Sequence, residues 1–112
     1  MQPLVSALIV NRNYGKYLGQ SIKSILTQDY PKECIEIIVV DYGSTDGSQR
    51  IIQEFGSDVR GFYLEDGTFL QAINTALANV NGKYIAFLGA DDMWLPTKIS
   101  RQVDLLEHHP EV

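Results

Sequence analysis

The sequence predicts an α/β fold: a Rossmann-like, mostly parallel β-sheet with helices on both faces. Four short apolar runs rich in β-branched residues alternate along the chain with four segments whose apolar residues recur at helical spacing. Such alternation over so short a span calls for right-handed crossovers between parallel strands. The 112 residues also fit the usual size of one domain, so residues 1–112 are interpreted as a single unit.

Two strand–helix units are predicted in the first half of the chain. Residues 5–10 form an apolar run without polar alternation, which is typical of a strand covered on both faces. Residues 17 to about 28 have apolar positions at i, i+4, i+7 and i+8, and Pro31 blocks continuation of this helix. A second strand over residues 35–40 ends in a turn-forming segment, and a second helix is marked by Ile51, Ile52 and Phe55.

The second half repeats the pattern less regularly. Residues 59–64 predict a third strand, which is weaker because Arg60 and Gly61 interrupt the apolar run. Asn81-Gly82 is expected to end a third helix with the stripe Leu70, Ile73, Leu77 and Val80. Residues 84–88 predict a fourth strand, and Pro96 is expected to open a fourth helix with the stripe Leu95, Ile99, Val103 and Leu106.

Composition excludes several classes of function. The formal charge of −5, the pI near 4.8 and the lack of a Lys/Arg cluster argue against nucleic acid as a partner. Cys34 is the only cysteine, which excludes an internal disulfide and multi-cysteine metal sites. No apolar run approaches the roughly 20 residues of a transmembrane helix. The N-terminal residues lack the basic start of a secretory signal, so a cytoplasmic chain is expected.

Polar loops follow each predicted strand, at Asn11, Asp41, Glu65 and Asp91. In a parallel sheet these loops share the edge formed by the carboxyl ends of the strands, where ligands of α/β proteins bind. We expect Asp41 to be exposed on this edge and to accept hydrogen bonds from a base or sugar. A single loop aspartate is otherwise more often a helix cap or a solvated turn residue.

The chemistry of this edge is acidic. Neither of the glycine-rich phosphate-binding motifs of dinucleotide folds and P-loop enzymes follows the first strand. Carboxylates after the second and fourth strands suit a hard divalent cation such as Mg²⁺ or Mn²⁺, which could neutralise the phosphates of a ligand.

Three ordered segments, residues 5–18, 37–48 and 82–96, resemble the family 2 glycosyltransferases of GT-A fold. The resemblance implies a transferase that moves a sugar from a nucleotide diphosphate donor, usually a UDP-sugar, to an acceptor hydroxyl with inversion at the anomeric carbon. Asp41 matches the carboxylate that bonds uracil, and the loop after the first strand matches the segment around base and ribose. The donor contacts implied are Val10, Asn11, Asn13, Asp41, Gly43 and Ala90.

The metal motif departs from the family pattern. Asp91 matches the last Asp of the Asp-x-Asp motif, which holds Mg²⁺ or Mn²⁺, but Gly89 stands where the first Asp belongs. Asp92 is a second candidate ligand, although in an extended segment it would point away from Asp91. One carboxylate that normally addresses the ribose and the metal is therefore absent. Other departures are Val10 for Pro, Tyr42 for a second Asp, and Ile73 for an Arg.

No catalytic residue is assigned, because the family's general base belongs to an acceptor half that would lie beyond residue 112. The 112-residue chain alone is therefore expected to be inactive, and the acceptor saccharide or lipid-linked glycan stays unidentified. One alternative is a non-catalytic nucleotide-sugar-binding module of the same fold. Another is a receiver-like signalling domain, whose acidic pair should follow the first strand, where this chain has Asn11-Arg12-Asn13.

Overall fold

The computed structural model describes residues 2–109, so residue 1 and residues 110–112 lie outside the description. The strands are β1 (Val5–Asn11), β2 (Ile35–Tyr42), β3 (Arg60–Leu64) and β4 (Tyr84–Phe87). The helices are α1 (Gly15–Leu26), α2 (Ser48–Glu54), α3 (Phe69–Leu77) and α4 (Lys98–His108). Short 3₁₀ turns at Lys32–Cys34 and Gly56–Asp58 precede β2 and β3.

The four strands form one sheet in the order β3-β2-β1-β4, and every neighbouring pair is parallel. The predicted α/β fold is confirmed. Since parallel strands end at the same edge, the loops after them lie along that edge, as expected from the sequence. The register places Asn11 of β1 directly opposite Asp41 of β2.

Helices cover both faces of the sheet. On one face, α1 and α2 pack through Leu18, Ile22 and Ile52 against Ala7, Ile9 and Val39, and α4 extends this layer with Ile99 and Val103. On the other face, α3 packs alone through the small residues Ala72 and Ala76 against Leu8, Ile38 and Val40. The strands are apolar on both sides because each side has a helix to cover it.

Two helix boundaries differ from the sequence prediction. Helix α3 ends at Leu77, before Val80, which is apolar because it packs on the sheet after the helix has ended. Helix α4 begins at Lys98, so neither Leu95 nor Pro96 belongs to it. The carbonyl of Pro96 instead accepts a hydrogen bond from the Asp29 backbone N–H at 2.8 Å, which fixes this residue against the end of α1.

The amino-terminal edge of the sheet is held by Glu36. Its carboxylate accepts hydrogen bonds from Ser6 Oγ of β1, from Arg60 Nη1 of β3 at 3.1 Å, and from the backbone and side-chain nitrogens of Asn81. Burial by itself raises the pKa of Glu36, but these donors outweigh it and hold the pKa below its ordinary value. One carboxylate thus joins three strands and the segment that leads into β4.

We expect the Glu36 network to make the fold acid-sensitive. Because the pKa of Glu36 is lower in the folded chain than in the unfolded chain, its contribution is complete above the unfolded value of about 4.5 and is lost as the pH falls through the folded value. Melting scans from about pH 7 to about pH 3 should therefore show a smaller fall in Tm for Glu36→Gln than for the wild type. Parallel curves for the two proteins would contradict this prediction.

Candidate functional site

The site lies at the carboxyl edge of the sheet and is built on a buried pair, Asn11 and Asp41, both fully inaccessible to solvent. Asn11 Nδ2 donates to Asp41 Oδ1 at 2.8 Å. Ser44 Oγ donates to the same oxygen, and Gln49 Nε2 donates to Asp41 Oδ2 at 3.2 Å. The expectation that Asp41 is exposed is therefore wrong, because the loop after β2 folds back over the end of its own strand.

Asn13 connects the loop after β1 to the loop after β2. Its backbone N–H donates to Ser44 Oγ at 2.9 Å, and its Oδ1 accepts from the Thr45 N–H at 2.7 Å. The residue adopts a left-handed conformation with φ of 59°, which asparagine tolerates better than most residues. Asn13 thus sets the relative position of the two loops that the sequence assigned to the nucleotide.

Asp46 plays a part that the sequence analysis missed. Its carboxylate accepts from the Gly15 N–H at 2.9 Å, at the start of α1, and from the Ser48 N–H at 3.0 Å, at the start of α2. The hydrogen bond from the Ser48 hydroxyl, with smaller contributions from these backbone donors, holds the pKa of Asp46 below its ordinary value. An aspartate ahead of α2 is a recognisable cap for that helix, but its second role at α1 depends on tertiary structure.

The acidic turn after β4 brings its two carboxylates together. Residues 89–92 form a turn that is closed by the Asp92 N–H donating to the Gly89 carbonyl at 3.0 Å. A Cβ placed on Gly89 would lie 3.2 Å from Asp91 Oδ1 and 2.8 Å from Asp92 Oδ2, so both carboxylates converge on the glycine. The expected divergence of the two side chains is wrong, because the segment is a turn and not an extended strand.

A polar strip on α1 and just beyond its end holds the acidic turn and the segment that follows it, and the sequence analysis missed this strip too. Ser21 Oγ lies 2.8 Å from the Ala90 carbonyl and 2.5 Å from that of Asp92. Gln28 Nε2 donates to the Leu95 carbonyl at 2.7 Å, and Gln28 Oε1 accepts from Ile99 N–H in the first turn of α4 at 3.0 Å. The recurrence of serine and glutamine at i, i+3 and i+7 beside an apolar stripe could have revealed the strip: Ser21, Ser24 and Gln28.

The other residues predicted to contact the nucleotide lie along the same edge: Val10, Gly43 and Ala90. Gly43 has a φ of 69°, and its N–H donates to the Leu64 carbonyl at 2.9 Å, which ties the end of β2 to that of β3. Ala90 is the buried residue of the acidic turn itself, and Val10 packs against the core on the α3 face. All three shape the edge through their backbone and packing.

The residues at the turn fit a magnesium or manganese ion that is shared with a ligand. Among residues 2–109 no cluster of three or more His, Cys, Asp or Glu side chains could hold an ion by itself. Mg²⁺, however, is usually held by one or two carboxylates together with substrate phosphates. The convergence of Asp91 and Asp92 meets that requirement, because phosphate oxygens would supply the missing ligands.

An open cleft adjoins the acidic turn. It has a volume of about 470 Å³ and runs from Phe87 past Gly89 and Asp92 to the start of α4. Lys98 lies over the Trp94 ring, 5.1 Å from its centre, and Arg101 also lines the cleft. Space beside Asp92 and Gly89 is thus available to a ligand. No helix in the described part of the chain is long and apolar enough to span a membrane.

A parallel α/β sheet with paired carboxylates in a turn after an edge strand defines a domain of the GT-A class, and the comparisons with known proteins agree. The model of glycosyl transferase family 2 matches residues 6–112. The chain belongs to this family.

The relatives indicate how much of such a protein the chain represents. An uncharacterised glycosyltransferase of Rickettsia conorii is 40% identical over 105 residues, which cover 92% of this chain and 17% of the relative. TarS of S. aureus, residues 1–349 in complex with UDP-GlcNAc, superposes with a TM-score of 0.88 at 25% identity, covering 96% of this chain and 32% of that 1–349 chain.

The mannosyltransferase PcManGT from Pyrobaculum calidifontis, in complex with GDP-Man and Mn²⁺, superposes with a TM-score of 0.87 at 26% identity. That match covers 95% of this chain and 33% of PcManGT. The chain thus spans about a third of each solved neighbour, and less of the Rickettsia relative.

Proposed function

We propose that residues 1–112 form the donor-binding domain of an inverting glycosyltransferase, which takes a UDP-sugar together with Mg²⁺ or Mn²⁺ at the carboxyl edge of the sheet. The observation that carries the proposal is the convergence of Asp91 and Asp92 on Gly89. A cation held there, once bound, would neutralise the charge that builds up on the leaving diphosphate. Both TarS with UDP-GlcNAc and PcManGT with GDP-Man and Mn²⁺ support this class of ligand.

Each group of residues has a distinct task in this proposal. Asp91 and Asp92 hold the cation, and Ser21 fixes the turn that carries them. Asn11, Asn13 and Asp41 order the two loops that surround the nucleoside. Asp41 Oδ2 accepts within the described residues only from Gln49, at the long distance of 3.2 Å, so a base N–H can replace that amide.

Sugar transfer itself is assigned to residues that this chain does not contain. An inverting reaction needs a base that deprotonates the acceptor hydroxyl, which typically contributes about 10²- to 10⁴-fold to the rate. Asp41 and Asp46 are engaged in hydrogen bonds and Asp91 with Asp92 at the turn, while Glu65 and Asp66 lie in the loop after β3, which we expect to flank the donor. We therefore propose that the chain binds donor without transferring sugar.

Calorimetric titration with UDP tests the proposal. We expect saturable binding that strengthens about tenfold or more when Mn²⁺ or Mg²⁺ is present, since the ion bridges the turn to the diphosphate. Asp91→Asn should remove the metal dependence while the melting temperature stays unchanged, because Asp91 is exposed. The matched control is Asp58→Asn, an exposed carboxylate that precedes β3 at the opposite edge of the sheet and should leave UDP binding and its metal dependence as in the wild type.

Two results would contradict the proposal. The first is an absence of UDP binding under both conditions. The second is equal affinity with and without the ion, which would show that the acidic turn has no part in binding.

Gly89→Asp is expected to raise the affinity for Mn²⁺ by supplying a third carboxylate. Gly89 does not adopt a left-handed conformation, so the backbone accepts a side chain. The new Cβ displaces the ends of Asp91 and Asp92, which are flexible side-chain atoms. Three carboxylates in one turn repel one another without a cation, so the variant should melt at a lower temperature than wild type in EDTA and recover when Mn²⁺ is added.

Gly89→Asn is the matched control for that variant, since it adds the same volume without the charge. It should show neither the loss in EDTA nor the recovery with Mn²⁺. If Gly89→Asp bound Mn²⁺ no better than the wild type, the turn would not be a metal site.

Gly89 also favours a second candidate, a nucleotide-sugar-binding module without a catalytic partner. The glycine removes the carboxylate that the family motif places first, which weakens the hold on an ion needed for turnover. An assay of the protein expressed from the full reading frame distinguishes the transferase from the binding module. Metal-dependent release of UDP from a UDP-sugar supports the transferase, and binding without release supports the module.

A further inference from the structure

We propose that residues 93–95 form a contact surface for membranes that contain anionic phospholipids. We call this segment the apolar ridge, and it follows the acidic turn directly. Two exposed apolar side chains and three unpaired cations carry the proposal, which goes beyond nucleotide binding and names the surface on which the domain rests.

The apolar ridge presents its side chains to solvent from a fixed backbone. Leu95 is 76% exposed, more than any other large apolar residue in the described part of the chain, and Met93 is 65% exposed. Trp94, between them, packs against the core, and its N–H donates to Ser24 Oγ at 3.1 Å. The Leu95 carbonyl accepts from Gln28 Nε2 at 2.7 Å. A backbone that holds two apolar side chains in water in this way indicates a contact surface.

Hollows lie on both sides of the apolar ridge. One is the cleft of about 470 Å³ beside the acidic turn, which Lys98 and Arg101 of α4 line. The other is a groove of about 520 Å³ between the ridge and α1, which Lys23 lines. Three cations from two helices therefore flank the exposed apolar side chains.

These three cations lack acidic partners. No hydrogen bond or ion pair within residues 2–109 engages the side-chain nitrogens of Lys23, Lys98 or Arg101, and Lys98 instead lies over the Trp94 ring at 5.1 Å. Other basic residues are held in ion pairs: Lys32, Arg50, Arg60 and Lys83. Since the whole chain has a formal charge of −5, this group of free cations gives the ridge a local charge opposite to that of the chain.

The nearby carboxylates leave this local charge in place. Asp92 lines the cleft, but it converges with Asp91 on Gly89, where a bound Mg²⁺ would neutralise both. Asp29 and Asp104 line a third, polar hollow and neither of the two beside the ridge. The ridge and its cations therefore complement an anionic partner.

An anionic lipid surface complements both features together. Apolar side chains at a membrane surface enter the boundary between headgroups and acyl chains, while lysine and arginine reach the lipid phosphates. A second copy of the chain fits less well, because a two-fold interface would bring the same three cations face to face. Binding through the ridge places the acidic turn beside the lipid headgroups.

Trp94 is the only tryptophan of the chain, so its fluorescence reports directly on the ridge. With Mg²⁺ present, we expect vesicles of phosphatidylcholine and phosphatidylglycerol to shift its emission to shorter wavelength, and brominated acyl chains to quench it. Vesicles of phosphatidylcholine alone should bind at least about tenfold more weakly, because the cations then lack an anionic surface. About 1 M salt should abolish this difference by screening the charges.

Four variants make the test specific, with binding measured by flotation of the vesicles. Leu95→Gln should weaken binding about tenfold, because less apolar surface leaves water. Arg101→Gln should weaken it about fivefold through the loss of one cation near the lipid phosphates. The matched controls are Leu70→Gln, a 65% exposed leucine of α3, and Arg50→Gln, which changes the net charge equally. Both controls should bind as the wild type does, and all four side chains are exposed, so the melting temperatures should match.

Several results would overturn the inference. They are equal binding to neutral and anionic vesicles, binding without quenching of Trp94, and an equal loss in Leu95→Gln and Leu70→Gln. A shift of the Trp94 emission that grows with protein concentration in the absence of vesicles would instead assign the ridge to a second copy. A chain that binds UDP but no vesicles refutes this inference alone, and a chain that binds vesicles but no UDP refutes the donor-binding function alone.

Discussion

Asp41→Ala is expected to lower the free energy of unfolding by about 2–4 kcal/mol, as well as to weaken UDP binding. The carboxylate is fully buried and accepts from Asn11, Ser44 and Gln49. Ser44 and Gln49 are partly exposed and can turn to water, but Asn11 is fully buried and its Oδ1 already lacks a partner. Loss of Asp41 therefore leaves the buried Asn11 amide with only the long hydrogen bond from Nδ2 to Ser44 Oγ, at 3.4 Å.

Urea denaturation of the apo chain measures this loss. Asp41→Asn is the control, since it keeps an oxygen that Asn11 can donate to and should lose about half as much stability as the alanine variant. An alanine variant with the denaturation midpoint of the wild type would contradict the buried network. UDP binding by such a variant with unchanged affinity would in turn contradict the assignment of Asp41 to the nucleoside.

Gly82→Ala is expected to destabilise the fold by about 3 kcal/mol. A Cβ at this position would lie 2.6 Å from both the backbone nitrogen and the Oγ of Ser6, and 2.9 Å from the Tyr84 carbonyl oxygen. Two of these atoms are backbone atoms of neighbouring strands, so the added methyl group cannot be relieved by a side-chain rotation. β4 must move away from β1, which disturbs the ladder that carries the acidic turn.

Gly19→Ala provides the contrasting result in the same denaturation assay. Gly19 lies within α1, and its Cβ would meet only Ile51 Cγ2, at 4.0 Å. Alanine should therefore stabilise the helix by about 0.5–1 kcal/mol. A Gly82→Ala variant as stable as the wild type would show that the entry into β4 is not packed against β1 in this way.

The fold was predictable because its elements carry local patterns. Residues 5–10 and 35–40 are apolar without alternation, and a strand buried on both faces follows from that pattern and from the intervening helix. Chain order and the right-handedness of crossovers then leave few topologies. The parallel topology therefore placed the polar loops at one edge. The structure agrees, since Asn11 lies opposite Asp41 there.

The details of the site depend on contacts that sequence patterns do not contain. Asp46 accepts from the first N–H of α1 across more than thirty residues, and Gln28, two residues after the end of α1, holds the first turn of α4. Residues 89–92 lie in a predicted loop, but the closed turn that makes Asp91 and Asp92 converge does not follow from the sequence pattern. Such features arise when distant segments meet, so local propensity cannot specify them.

Binding of the nucleotide at the carboxyl edge of the sheet can be measured by NMR. The chemical shifts of the backbone amides are followed during a titration with UDP and Mg²⁺. We expect the amides of residues 11–15, 41–46 and 89–92 to shift together with a single saturation curve. The amides of Ser6, Glu36 and Asn81, at the opposite edge, should stay in place. Saturable shifts confined to that opposite edge, or an unchanged spectrum at saturating UDP, would show that the nucleotide does not bind at the carboxyl edge.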